Sequence, residues 1–597
     1  MCSLVVRTLV TTADERTWPK NQPILFLGEW CKLYDRKAVW SDLNTIIAPY
    51  HWDDREKLYN DYLYLQEVYE DLLYKLSIKL NHIHGVDHSF RYWRILIGPW
   101  LGTFVHIIFD RWFMLKRVIE SSEVDKCRSI NRDGETIIPN DMEDFSKLFL
   151  KDNWNEAIYS ELIDRCWNKK IHIEKIDCEE NFIKKRAIAQ LSLASDLKKI
   201  FFKALFFLNQ LTRKSNEYFF LFSYLPLKTD LHLQIKLGQI PKIWRSVSAP
   251  KVKSNELKRN WRVKNNAGSD AFVELINDMI PAHIPTVYLE GYETLVNAAS
   301  NLPWPKKPSA IFTSVSFVTD DIFKIWAANK IENGVPLVIG QHGGNFGISK
   351  FSFYEKHQLS ISDAFLSWGW KKKEYKNIFP IGNLKIIEKS INYDPNGKAL
   401  LVELFVPRYS YYIYALPISS GQWLTYFKEQ CRFIAALPLP IQQKIIVRLF
   451  RHDKQRKNNS SGEAHWSDQN FEVEYELGNK PIKELMKESR VYISTYNATT
   501  FLESLSWNVP TIIFWNPKYN ELCEDAIPYF ELLKSVGIFH ATPESAAQQM
   551  IKVWDDVSIW WESKEVQSAR DEFCKCWSYT GPDSMKKLET LLREVVN

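Results

Sequence analysis

The chain has 597 residues and a mass of 70.3 kDa, enough for about three or four ordinary domains or two large ones. Its net charge of +5 is small for this mass, so the composition predicts no nucleic-acid partner. The most apolar stretch, residues 95–115, includes Pro99, Asp110 and Arg111 and is a poor membrane span. The 9 cysteines are scattered, which favours reduced thiols. We expect a cytoplasmic protein that could contact the inner membrane peripherally.

The first part of the chain is predicted to alternate strands with helices. Apolar residues recur at helical spacing over residues 54–120 and 143–210. Strands are predicted at residues 8–12, 24–28, 218–224, 286–289, 310–313, 337–340 and 364–366. Because helical segments separate several of these strands, the sheet is expected to be parallel. We interpret residues 1–380 as one Rossmann-like domain with a helical insertion at about 54–215.

The second part repeats the pattern. Strands are predicted at residues 400–405, 444–450, 491–494 and 511–515. We interpret residues 381–560 as a second Rossmann-like domain and residues 561–597 as helices that pack back on the first. The predicted fold class is therefore α/β, with two Rossmann-like domains facing each other across a cleft.

The segment VPLVIGQHGGNFG, residues 335–347, is the most informative in the chain. It predicts a buried strand that opens into a loop with Gln341, His342, Gly343 and Gly344. Glycines let backbone N–H groups approach a phosphate or sugar closely, and a histidine can exchange a proton near neutral pH. This pattern indicates a ligand site, although a histidine in such a loop is as often a structural hydrogen-bonding group.

A second polar loop lies in residues 489–515. A predicted strand ends at Ser494, and Asn497, Thr499 and Thr500 precede a helix that carries Glu503. Hydroxyls and free N–H groups at a helix N-terminus suit a phosphate, and a carboxylate can accept hydrogen bonds from a ribose diol. The alternative is a simple capped helix, with Asn497 or Thr499 as N-cap and Glu503 as a first-turn acid.

Two acidic or histidine-rich motifs could suggest a metal, but neither has familiar ligand spacing. Asp320 and Asp321 are expected to cap a helix. The histidines at 82, 84 and 88 match no known ligand pattern and are expected in a helix–helix turn. We therefore expect no metal and no cofactor.

Four segments together resemble a known family: TTADERTW (11–18), FLGEWC (26–31), GQHGGNFG (340–347) and YNATTFLE (496–503). They are similar to bacterial transferases found with O-antigen and capsule synthesis, with a likeness to pseudaminic-acid transferases. The last segment, with the strand after it, also resembles the donor subsite of GT-B glycosyltransferases. The chain departs from the His-Pro dipeptide of enzymes that use CMP-sialic acid, since His342 is followed by Gly343.

This resemblance implies roles for individual residues. Glu503 would bind the donor ribose, and Asn497, Thr499 and Thr500 would line the phosphate site. His342 would face the anomeric centre or the leaving phosphate, together with Gln341, Gly343 and Gly344. Charge on the leaving group would be neutralised by Lys385, Arg448 and Arg451, although cations at strand ends are frequently structural. The catalytic base would be His342, Glu15, Asp14 or Glu29, and Arg16 would orient the acceptor or a donor carboxylate.

The leading hypothesis is a metal-independent GT-B glycosyltransferase. It would move a sugar from a nucleotide donor to a hydroxyl of a cell-surface glycan or its lipid-linked precursor. The first candidate for the donor is a CMP-linked nonulosonic acid such as pseudaminic acid. One alternative keeps the fold and makes the protein a nucleotide-sugar epimerase or a CDP-polyol phosphotransferase. Another is a non-catalytic glycan-binding scaffold that uses its many tryptophans as platforms.

Overall fold

A computed structural model describes residues 6–132, 137–177, 216–264, 268, 270–386, 390–410, 418–449 and 462–596. The described strands form three sheets, and every strand pair within these sheets is parallel. The predicted α/β class with Rossmann-like parallel sheets is thereby confirmed. Parallel sheets place the carboxyl ends of their strands at one edge, where α/β proteins bind ligands.

The first sheet has the strand order β3-β2-β1-β4-β5. Its strands are β1 (Arg7–Val10), β2 (Ile24–Phe26), β3 (Thr45–Ile47), β4 (Val124–Ile130) and β5 (His172–Ile176). Its helices are α1 (Lys37–Trp40), α2 (Arg55–His84), α3 (Phe90–Ser121), α4 (Met142–Leu148) and α5 (Asp152–Trp167). The helical spacing over residues 54–120 is thus confirmed. The stretch 54–215 is not wholly helical, however, because β4 and β5 return to the first sheet after α3; residues 178–215 lie outside the described part.

The second sheet has the order β10-β9-β8-β7-β6. Its strands are β6 (Phe219–Leu221), β7 (Ile311–Thr313), β8 (Leu337–Gly340), β9 (Ala364–Ser367) and β10 (Ile378–Pro380). Its helices are α6 (Leu227–Lys236), α7 (Ala271–His283), α8 (Tyr292–Ser300), α9 (Ser316–Thr319), α10 (Asp321–Glu332) and α11 (Phe353–Ile361). Residues 1–380 therefore hold two sheets, where the sequence suggested one. The division of the chain near residue 380 stays a prediction.

One predicted strand is wrong. Residues 286–289 begin a short 3-10 helix, Thr286–Tyr288, and join no sheet. The N–H groups of Thr286 and Val287 donate instead to the carbonyls of Pro139 and Asn140, both at 3.0 Å. These bonds join the segment to a loop of the first sheet, so the apolar run serves packing between elements.

The third sheet has the order β13-β12-β11-β14-β15-β16. Its strands are β11 (Lys398–Val402), β12 (Ile445–Arg448), β13 (Glu474–Glu476), β14 (Ser489–Ser494), β15 (Thr511–Phe514) and β16 (Phe539–His540). The helices in this part of the chain are α12 (Gln422–Ala435), α13 (Leu439–Gln442), α14 (Gly462–Ser467), α15 (Ile482–Lys487), α16 (Thr499–Ser506), α17 (Ile527–Ser535), α18 (Pro543–Val553), α19 (Val557–Trp561), α20 (Lys564–Trp577) and α21 (Ser584–Glu594). The strand order reverses between β11 and β14, which makes their carboxyl ends the expected ligand crevice.

Long helices and the C-terminal helix tie the sheets together. The apolar helix α3 packs against α2, α10 and α11, and so contacts elements of both the first and the second sheet. The last helix, α21, buries Leu588, Leu591 and Leu592 in a cluster with Phe220 of β6 and Leu233 of α6. None of the described helices is long and apolar enough to cross a bilayer.

Candidate functional site

The loop after β8 touches the N-terminus of α16 directly. Gly344 N donates to Thr499 Oγ1 at 3.2 Å. A Cβ atom on Gly344 would lie 2.3 Å from the carbonyl oxygen of Ala498, so only glycine permits this approach. The two loops singled out in the sequence, one on the second sheet and one on the third, therefore meet at one place.

Gln341 fixes the shape of the first loop. Its Oε1 accepts hydrogen bonds from Trp368 N at 2.9 Å and from Trp370 Nε1 at 2.8 Å. Its Nε2 donates to Gly343 O at 2.7 Å. Because its amide is used in this way, Gln341 acts as a positioning residue for the neighbouring His342.

His342 lies partly buried among aromatic rings. Its ring centroid is 5.0 Å from that of Phe346 and 6.4 Å from that of Tyr224. Its Nδ1 is buried and has no hydrogen-bond partner among the described residues. Burial, with a smaller contribution from Lys385, lowers the pKa of His342 to about 4. The ring is therefore neutral at pH 7 and can accept a proton.

Lys385 and Glu503 form an ion pair beside this histidine. Lys385 Nζ lies 2.7 Å from Glu503 Oε1 and 5.7 Å from the ring centroid of Tyr224. Glu503 lies on α16 and is buried, whereas Lys385 follows β10 of the second sheet. The pair thus gives the crevice one cation and one carboxylate from opposite sides.

The N-terminus of α16 carries no side-chain cap. Its N-cap residue is Ala498, and this position makes no side-chain capping hydrogen bond. The capped-helix alternative, with Asn497 or Thr499 as N-cap, is therefore wrong. Asn497 is only 2% exposed, and its Oδ1 has no hydrogen-bond partner among the described residues. Thr500 Oγ1 accepts from the hydroxyl of Tyr492 at 2.6 Å.

One further predicted cation lies near the same edge. Arg448 ends β12; its Nε is 3.5 Å from Glu476 Oε2, and its buried Nη1 has no hydrogen-bond partner among the described residues. Arg451 lies outside the described residues. Arg448 is thus a cation with a donor to spare at the strand next to β11.

Each candidate group of the first sheet is held in an ion pair. Both carboxylate oxygens of Glu15 accept from Arg36 at 2.7 Å. Arg16 Nε donates to Asp14 Oδ1 at 2.8 Å, and Lys32 lies 3.0 Å from Glu29. The roles of Glu15, Arg16, Asp14 and Glu29 in catalysis stay predictions.

Comparison with known proteins identifies the family. A family model described as LIC12162 family transferase matches residues 7–592. The chain belongs to this family. The match spans all three sheets, so both loops of the candidate site lie within it. No curated protein matches the transferase significantly.

Solved structures of low sequence identity are similar to parts of the transferase. UGT89C1 of Arabidopsis thaliana, complexed with quercetin, is 13% identical over 64% of this chain and 100% of its own, with a TM-score of 0.35. MurG of Acinetobacter baumannii is 11% identical over 64% of this chain and 100% of its own, with a TM-score of 0.31. A UDP-glucosyltransferase from Polygonum tinctorium is 12% identical over 66% of this chain and 95% of its own, with a TM-score of 0.31.

Glu403 is a site candidate that sequence reasoning missed. It follows β11 directly, is 7% exposed, and accepts a hydrogen bond from Trp466 Nε1. Burial raises its pKa to about 7. The predicted strand 400–405 enclosed this residue, whereas β11 ends at Val402 and leaves Glu403 at the ligand edge of the sheet. A carboxylate inside the apolar run ALLVELFV is the signal that could have revealed it.

Two exposed aromatic residues of the transferase were also missed. Phe222 and Tyr224 follow β6 with φ angles of +51° and +62° and are 54% and 40% exposed. The loop is held by Ser223, whose hydroxyl donates to Asp230 at 2.6 Å. Left-handed backbone at residues other than glycine is strained and is concentrated at functional sites. Tyr224 accordingly lies beside both His342 and Lys385.

The acidic and histidine motifs have structural partners. Asp320 accepts from Phe323 N at 2.9 Å and caps α10 as predicted, whereas Asp321 is buried against Lys324 at 2.6 Å. His84 contacts Tyr288 O at 3.0 Å, and His88 contacts Glu332 at 2.6 Å. In the described part of the chain, no cluster of three or more His, Cys, Asp or Glu side chains could hold a metal ion.

Proposed function

We propose that this transferase is a GT-B-type glycosyltransferase that moves a sugar from a nucleotide donor to a hydroxyl of a glycan. The observation that supports this most strongly is the uncapped N-terminus of α16, which faces the Gly344 loop. An uncapped helix N-terminus has free N–H groups and a partial positive charge, and both suit a phosphate.

The donor would bind across the junction of the two loops. Its phosphate would accept hydrogen bonds from the first turn of α16 and from Thr499 and Thr500, with Lys385 as counter-charge. Glu503 would bind the ribose hydroxyls, for which Lys385 must shift from the carboxylate toward the phosphate. Such an exchange of ion-pair partners keeps the carboxylate paired until the donor arrives.

His342 would serve as the base. The acceptor O–H bond breaks as its proton moves to a ring nitrogen of His342, while the oxygen forms a bond to the anomeric carbon. The bond from that carbon to the phosphate oxygen breaks, and its electron pair leaves with the nucleotide. The helix N-terminus and Lys385 would stabilise this developing negative charge. The low pKa of His342 keeps its ring neutral at pH 7, so that a nitrogen lone pair is free for the proton.

The finer assignments come from the sequence resemblance. We propose a CMP-linked nonulosonic acid as donor and a bacterial surface glycan, or its lipid-linked precursor, as acceptor. Peripheral contact with the inner membrane belongs to the same proposal. These assignments would place the enzyme in O-antigen or capsule synthesis.

Thermal unfolding with a nucleotide panel tests the proposal first, because a ligand that binds the folded state raises the midpoint. The panel consists of CMP, CDP, UDP, GDP and their sugars. We expect one nucleotide to raise the midpoint in the native protein and in Glu544→Ala, an exposed control, but not in Glu503→Ala. No shift with any nucleotide would refute the proposal and favour a scaffold. A shift followed by conversion of the sugar without an acceptor would identify an epimerase instead.

A further inference from the structure

A cavity of about 210 Å³ lies between the first and the third sheet. Its walls come from the segment after β2 and from the beginning of α12. The side chains that matter here are Glu29, Tyr34, Trp40, Ser420, Trp423 and His465. Part of this lining belongs to the FLGEWC motif, whose Glu29 the donor site leaves unused.

Aromatic rings line the cavity in fixed positions. Tyr34 stacks on His465 with ring centroids 3.6 Å apart, and Trp423 lies 5.0 Å from the same histidine. Trp40 Nε1 donates to Leu33 O at 2.8 Å, which sets the orientation of its indole. Rings held in this way offer flat apolar surfaces at little entropic cost on binding.

Ser420 marks the cavity as a place for a polar ligand. It is 6% exposed, and its Oγ has no hydrogen-bond partner among the described residues. Its φ angle of +49° is strained for a residue other than glycine. A buried hydroxyl without a partner costs free energy unless something binds it. Strain and an unpaired hydroxyl in one residue point to a ligand group at this position.

Charged groups complete the rim. Glu29 pairs with Lys32 at 3.0 Å, and Lys32 Nζ lies 4.7 Å from the ring centroid of Trp40. A Cβ atom on Gly421 would lie 3.0 Å from Glu29 Cβ, so the carboxylate is held close to the start of α12. The cavity thus combines aromatic walls with a hydroxyl, a carboxylate and an ammonium group.

We propose that this cavity binds one sugar ring of the acceptor glycan. A pyranose presents an apolar C–H face to an indole and hydroxyls at its edge, each of which both donates and accepts hydrogen bonds. Val406 and Arg408, which also line the cavity, follow β11, and the donor loop follows the neighbouring strand β14. The cavity and the donor site therefore share one sheet edge. The acceptor role rests on the proposed transferase function, whereas sugar binding itself does not.

Saturation-transfer NMR on the full chain tests the inference without any donor. The probes are methyl glucoside, methyl galactoside, N-acetylglucosamine and N-acetylneuraminic acid, with adenosine and cytidine as nucleoside arms. We expect at least one sugar to bind, about two- to tenfold more weakly in Trp423→Leu and in Ser420→Ala, as for the loss of one ring or hydroxyl contact. Binding should be unchanged in Trp167→Leu, a half-buried control indole on α5.

Three results would overturn the inference: no sugar binds, sugar binding survives both cavity variants, or only a nucleoside loses its signal in them. Ser420→Ala keeps the cavity walls, so it decides the matter if Trp423→Leu unfolds. Sugar binding without any nucleotide response would uphold the cavity and refute the transferase proposal. A nucleotide response without sugar binding would refute the cavity as a sugar site and leave the transferase proposal standing.

Discussion

Polar side chains at the junction of the second and the third sheet differ from those of the first sheet in how they are partnered. At the second sheet, His342 Nδ1 is buried and unpartnered, as is Asn497 Oδ1 across the junction. At the first sheet, Glu15 is closed in a pair with Arg36, and Arg16 pairs with Asp14. Buried polar groups without partners raise the free energy of the folded protein, so two of them at one crevice favour a ligand there. Exposed ion pairs, whose members already bind each other, do not indicate a ligand site.

Removing the base is expected to have the largest effect. His342→Asn should lower the transfer rate about 10²- to 10⁴-fold while leaving the nucleotide-induced thermal shift in place. Because the pKa of His342 is about 4, its ring loses its proton well below neutral pH. The native rate should therefore be level from pH 6 to 8 and fall only as pH decreases toward 4. His232→Asn, exposed on α6, is the control; an inflection near the ordinary histidine pKa in the native profile would contradict this assignment.

The buried carboxyl of Glu403 should give the next largest effect. Its pKa rises from 4.5 to about 7 on folding because burial disfavours the charged form. The folded state then holds the proton more tightly, so stability is full below about pH 4.5 and declines as pH rises to about 7. The decline corresponds to about 3 kcal/mol. Denaturant unfolding at several pH values should show this slope in the native protein and in Glu544→Gln but not in Glu403→Gln.

The contact that joins the two loops gives the third prediction. Gly344→Ala would drive a Cβ atom against the Ala498 backbone, which cannot move as a side chain can. We expect a loss of about 1–3 kcal/mol in the free energy of unfolding and a loss of the nucleotide-induced thermal shift.

The neighbouring Gly343→Ala is the matched control, because its added Cβ would lie 3.2 Å from Asn345 Oδ1, the end of a side chain. It should be nearly neutral in both measurements. Equal effects of the two substitutions would show that the close approach at Gly344 does not matter, and the junction of the two loops would lose its support as a site.

Much of this fold follows from local sequence, and the site follows in part. Apolar runs bounded by glycine or polar residues predicted β8, β14 and β15, and the loops after β8 and β14 were found because chemistry-bearing residues stand directly behind apolar strands. The direct contact of Gly344 with Thr499 could not be predicted, since the two residues are 155 positions apart along the chain and their contact depends on how two sheets are placed. The return of β4 to the first sheet was missed for a similar reason: the two long helices α2 and α3 separate it from its partner β1.

The smallest expected effect on stability and transfer rate comes from a substitution at the first sheet. It tests whether the paired residues there are structural. Glu15→Gln breaks the exposed pair with Arg36, which is worth about 0–1 kcal/mol of stability. If Glu15 is structural, the transfer rate of Glu15→Gln should stay within about twofold of the native rate. Glu544→Gln, measured in the same assay, is the control. The sequence also allowed Glu15 as the catalytic base, and that hypothesis demands a loss of about 10²-fold or more. Such a loss would mean that Arg36 releases Glu15 when substrate binds. An ion pair in the free protein would then no longer distinguish a structural residue from a catalytic one.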